Sequence, residues 1–139
     1  MNQSSPLLSC LRRRAGRPVT ALMLLLVPFW AVQSQGATLY WDSDTAAAGN
    51  NATTGAGLGG AGSWDTAALQ WWNPIIPGVD VAWNNLSMDT AVFAGTAGAV
   101  TLGEAISVGG LTFNTTGYTL TGNTLTLGAA LGATSPVIS

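Results

Sequence analysis

The chain has 139 residues, a formal net charge of −2 and only 7% charged residues against 47% hydrophobic ones. Its four basic side chains, Arg12, Arg13, Arg14 and Arg17, all lie within the first seventeen residues, and it has no His. The rest is acidic, which excludes a basic surface for nucleic acid or for anionic membranes.

The basic start is followed by an apolar run from about Val19 to Val32 and then by Gln33-Ser34-Gln35-Gly36-Ala37. This is the layout of a secretory signal peptide. Ser34 and Gly36 supply the small residues a signal peptidase prefers if the cut falls between Gly36 and Ala37. A membrane anchor would need roughly 20 apolar residues, and this run is shorter and carries Pro28. The motif around the Arg run fits a twin-arginine signal poorly. Residues 1–36 are therefore expected to engage the export machinery and to be removed. Cys10, the single cysteine, would leave with them, so the mature body would have no disulfide and no thiol-based metal site.

Residues 37–88 hold Trp41, Trp64, Trp71, Trp72 and Trp83. Exposed indoles would stack on sugar rings, making these five candidate ligand-stacking residues for polysaccharide. Buried, they would close the open end of a stack of strands. The stretch Ala46 to Gly62 has only Leu58 to bury and reads as a long surface loop or disordered insert. Asn73-Pro74-Ile75-Ile76-Pro77-Gly78 reads as a turn with extended flanks.

Residues 89–139 are regular. Thr90–Phe93, Ala99–Leu102, Ile106–Val108, Leu111–Phe113, Tyr118–Thr121 and Thr124–Leu127 alternate apolar residues with Thr and Ser, and glycine-rich turns separate them. That period of two predicts half-buried strands. Their close spacing suits a parallel solenoid, and Val100-Thr101-Leu102-Gly103 recurs as Leu125-Thr126-Leu127-Gly128, twenty-five residues on. The same residues also fit an antiparallel meander with hairpins at Gly109-Gly110 and Gly122-Asn123.

The run from Gly109-Gly110-Leu111-Thr112-Phe113 to Leu125-Thr126-Leu127 resembles the opening coils of autotransporter-associated β-strand repeat proteins. The Trp-rich stretch and Asp89–Phe93 resemble the lead-in to those coils. The resemblance implies a secreted or cell-surface bacterial protein with a structural role as stalk, scaffold or adhesin. It implies no catalytic residues and no cofactor. The expected fold is all-β: the start of a right-handed parallel β-helix with a Trp-rich N-terminal cap, preceded by a cleavable signal peptide. Residues 1–36 form the signal, 37–88 the cap with its Gly/Ala-rich loop, and 89–139 the first coils, apparently truncated. Further coils of a longer parent chain would be its partners. The alternative is a secreted carbohydrate-binding module using the Trp cluster.

Other motifs carry little chemistry. Without His, Lys, Arg or Cys in the body, the common nucleophile–base schemes have no members. Asp42, Asp44, Asp65, Asp80, Asp89 and Glu104 are scattered along the chain, which suits turns and caps better than a paired-carboxylate site. Asp42-Ser43-Asp44 begins like a calcium loop, but Ala46 and Thr53 stand where ligands belong, so no metal site is expected. Gly55-Ala56-Gly57-Leu58-Gly59-Gly60 matches a dinucleotide fingerprint in letters only. Asn51, Asn85 and Asn114 begin glycosylation sequons, which matter only in a glycosylating host.

Overall fold

Wherever apolar residues alternate with Thr or Ser from Thr38 onward, the backbone is extended. The computed structural model describes residues 36–75, 78–129 and 137–139. The expected signal segment, apart from Gly36, lies outside the described residues. Among those residues there are strands and no helix: β1 (Thr38–Trp41), β2 (Gly62–Trp64), β3 (Trp71–Asn73), β4 (Val79–Val81), β5 (Thr90–Phe93), β6 (Ala99–Leu102), β7 (Ile106–Val108), β8 (Gly110–Phe113), β9 (Thr119–Gly122), β10 (Leu125–Leu127) and β11 (Val137–Ile138). The all-β expectation holds.

Three sheets form. In the first, β1, β5, β8 and β11 lie side by side and parallel. The second stacks β2, β6 and β9, and the third β7 and β10, again parallel. The chain visits the sheets in rotation: β5, β6, β7, then β8, β9, β10. Thr90 faces Gly110 and Ala99 faces Thr119, each twenty residues on, and Ile106 faces Leu125, nineteen on. The antiparallel meander does not form, because β7 and β8 join different sheets although only Gly109 separates them. The twenty-five-residue recurrence is not the structural period. Val100 pairs with Leu120 and Leu125 with Ile106, so the two similar runs lie on different sheets.

Register stacks like on like. Leu39, Ala91 and Leu111 form one inward row, Val100 and Leu120 another, and Val108 and Leu127 a third. Outward positions carry Thr101 beside Thr121 and Ser107 beside Thr126. Burial is graded along the stack. Val100, Ile106 and Val108 are buried, whereas Leu120, Leu125 and Leu127 are only partly covered.

At the other end the order reverses. β3 pairs antiparallel with β1, and β4 antiparallel with β3. The Asn73-Pro74 turn joins them, and Asn73 Oδ1 accepts the Ile75 N–H at 3.0 Å. The extended flanks expected there are β3 and β4; Ile76 and Pro77, within the expected turn, lie outside the described residues.

The Ala46–Gly62 stretch, expected as a surface loop or disordered insert, is a folded cover. Leu58 and Val92 are buried with Trp72 and Ala94, and Tyr40, Ala47 and Ala52 pack against them, so the first sheet is covered on its outer face as well. Asn51 Oδ1 accepts the Thr53 and Thr54 N–H groups at 2.9 Å, building the turn from side-chain bonds that composition alone conceals. Gly59 bridges Asp42 on one side and Thr96 on the other. Its φ is 101°, and an added Cβ would collide with Thr96 O, so only glycine fits there.

Candidate functional site

Strand alternation sends Trp41, Trp64 and Trp71 inward, and Trp83 follows β4 into the same space. The four are at most 1% exposed. Trp71 lies at the centre, with ring centroids 4.6 Å from Trp64, 4.7 Å from Trp83 and 5.4 Å from Trp41. Phe93 joins them to the coils, 5.6 Å from Trp71 and 5.2 Å from Phe113, on which it stacks. Trp41 Nε1 donates to Gly60 O at 2.9 Å and Trp83 Nε1 to Ser107 O at 3.1 Å. The indole N–H groups of Trp64, Trp71 and Trp72 are buried without an acceptor among the described residues, which costs about 1–3 kcal/mol each. Burial of more than ~150 Å² per ring at ~25 cal/mol per Å² contributes roughly 4 kcal/mol each and outweighs it.

Trp72 stands apart on the outer face, 8% exposed beneath the cover and 5.9 Å from Tyr40. The structure thus brings four of the five candidate stacking residues into one cluster and leaves the fifth beneath the loop. No indole among them offers an open face to solvent.

A second constellation joins residues that look scattered in sequence. Asp42 follows β1 and is fully buried. Its carboxylate accepts from Asn50 Nδ2 and from Asp44 N–H. Asp80, from β4, lies close enough to Asp42 for the two carboxyls to influence one another electrostatically. Burial pushes the Asp42 carboxyl up to about 6, and the Asn50 bond only partly opposes this. Asp80 is raised for the same primary reason. Asp80 Oδ1 is buried without a hydrogen-bond partner among the described residues, and a proton held by one of the neighbouring carboxyls would relieve it. Sequence reading missed this pair because Asp80 sits in a Val-Asp-Val strand that advertises nothing.

A separate shallow cavity of about 300 Å³ is lined by Ser43, Asp44, Leu58, Gly59 and Thr96 among others, and neither Asp42 nor Asp80 reaches it. It offers hydroxyls and a carboxylate but no aromatic face. Among the described residues no three carboxylates converge as metal ligands.

The remaining acids serve turns and ends. Asp65 accepts the Ala67 and Ala68 N–H groups at 2.8 and 2.7 Å. Glu104 accepts Thr66 N–H at 2.7 Å. Asp89, 7% exposed, accepts the Ala37 N–H at 2.6 Å.

No protein-family model matches the chain, and no solved structure matches it. A curated relative does: the adhesin BmaC autotransporter of Brucella suis biovar 1 (strain 1330) is 52% identical over 94 residues. That stretch is 66% of this chain and 2% of the relative, so the chain spans a small part of that protein's length. Over that stretch the chain is a homologue of an autotransporter adhesin.

Proposed function

We propose that this chain is the N-terminal part of an autotransporter passenger: an exported, non-enzymatic structural element at the bacterial surface. Residues 1–36 act as the export signal. Residues 37–88 form the cap, and residues 89–139 the first coils of a right-handed parallel β-helix that serves as stalk or scaffold for adhesion. The observation that carries this reading is the rotation of the chain through three parallel stacks with a repeat of nineteen or twenty residues, in a homologue of an autotransporter adhesin.

The burial gradient supports a direction for the stack. Its Trp end is closed by β3 and β4, which turn antiparallel and cover β1. The opposite end presents half-covered Leu120, Leu125 and Leu127, and Phe113 37% exposed. Such rows suit a following coil of the parent chain, since each repeat of a solenoid buries its core only against neighbours.

The five tryptophans serve the cap in this reading, because burial removes the faces that a sugar would need. Titration with soluble glycans should leave their fluorescence unchanged; a specific, saturable shift would instead establish the carbohydrate-binding module. For the passenger reading, epitope-tagged parent protein should be accessible to external protease on intact cells. Retention of the tag inside the cell would refute it.

A further inference from the structure

Asp89 stands just before β5, 7% exposed. Its Oδ1 accepts the backbone N–H of Ala37 at 2.6 Å. From Val19 to Ser139 the sequence holds no Lys, Arg or His, so no side chain of the body can neutralise this carboxylate. In the uncut chain a neutral amide faces it, and burial raises its pKa against the pull of that hydrogen bond. Ala37 is held from its other side too, because its carbonyl accepts the Thr90 N–H at 2.7 Å and the β1–β5 pairing begins at the next residue. Gly36 passes so close to Met88 O that a Cβ there would collide with it.

We propose that removal of residues 1–36 converts the Ala37 nitrogen into an α-ammonium that forms a part-buried ion pair with Asp89, locking the start of β1 onto β5. This rests on the reading of residues 1–36 as an export signal cut after Gly36. Hydrolysis of the Gly36–Ala37 bond by a signal peptidase consumes one water. The water's oxygen ends in the Gly36 carboxylate and both hydrogens on the Ala37 nitrogen, giving one carboxylate and one ammonium. Within residues 37–139 that ammonium is the single cationic group, and it is created beside the Asp89 carboxylate. Breaking such a pair on one side leaves an uncompensated buried charge, which is strongly destabilising. Folding of the exported chain is thereby coupled to its processing.

The sequence contains no lysine, so the α-amine is the sole primary amine of the processed protein and an acetylating reagent reports on it alone. The experiment expresses the full chain in a secreting bacterium, collects the exported product and follows acetylation by mass spectrometry, with the N-terminal residue sequenced. The product should begin at Ala37. Its amine should react at least roughly tenfold more slowly when native than when unfolded, since only unprotonated amine reacts and a neighbouring carboxylate keeps it protonated. The Asp89→Asn product should react close to the unfolded rate and melt at lower temperature. A wild-type product that starts at Ala37 yet acetylates at the same rate native and unfolded overturns the ion pair and leaves the export signal standing. That comparison needs no variant to fold. A product that starts at another residue overturns the ion pair and the cut after Gly36.

Discussion

Replacing Phe93 by Ala tests whether the Trp end and the coils share one core. Phe93 is fully buried. Its ring lies 5.1 Å from Tyr118, 5.2 Å from Phe113, 5.6 Å from Trp71, 5.8 Å from Trp64 and 6.1 Å from Trp41. It thus touches both the tryptophan cluster and the following strand level. Loss of ~150 Å² of buried ring at ~25 cal/mol per Å² removes about 4 kcal/mol, within the ~3–5 kcal/mol typical of Phe→Ala in cores. Total stabilities of small domains are about 5–15 kcal/mol, so the variant should sit near its unfolding threshold. Phe93→Leu retains most of the volume. It should cost about 1–3 kcal/mol, from imperfect repacking and from lost aromatic contacts. Urea unfolding of the full chain, followed by tryptophan fluorescence, measures both. The reasoning fails if Phe93→Ala costs under 1 kcal/mol, or if Leu is as damaging as Ala.

Three further outcomes are expected. Asp42 has its pKa raised in the fold, so the folded state holds a proton that the unfolded state has released. Stability should be greatest below about pH 4 and fall as pH rises through about 6. Asp80→Asn should lessen that slope without abolishing it, because burial is the larger cause, and raise Tm at pH 7.5 by about 1–3 °C; a profile identical to wild type would exclude any coupling between the two carboxyls. Tyr118 donates its hydroxyl hydrogen towards Ala94 O and Thr96 O, at 2.7 and 2.8 Å, and burial pushes its phenol up to about 12. Ionisation should therefore destabilise the fold as pH rises from about 10 towards 12, and Tyr118→Phe should remove that loss while costing about 1 kcal/mol at neutral pH. Calorimetric melts across alkaline pH decide this. Gly59→Ala should cost about 1–3 kcal/mol through its left-handed backbone and the collision with Thr96, and amide exchange should show the 46–62 cover loosening first.

The coil strands were legible because inside and outside differ in chemistry at every step. Ala99–Leu102 and Ile106–Val108 are strands at their expected bounds, and Leu111, Tyr118 and Thr124 mark the next three to within a residue. The partnering was harder to read. A short alternating run states which side faces in, not which neighbour it meets, so Val100 was matched with Leu125 where the sheet pairs it with Leu120. The cover over the first sheet was hidden for a related reason. Its anchors are Asn and Asp side chains bonded to nearby backbone, together with Ala and Leu58 filling a small space. Neither leaves a periodic mark. The convergence of Asp42 with Asp80 depends on β4 folding back through β3, a tertiary event between residues far apart in sequence.

The rotation of the chain through its sheets has a kinetic corollary. β1 cannot complete its edges until Trp71–Asn73 and Thr90–Val92 have been threaded into place, so closing the tryptophan end spans a large loop and sets the barrier. After that, β8, β9 and β10 find partners nineteen or twenty residues back and β11 one twenty-seven back. Growth past the first level is then a zipper with a short stride, seeded at one end and cheap to extend however far the polypeptide runs.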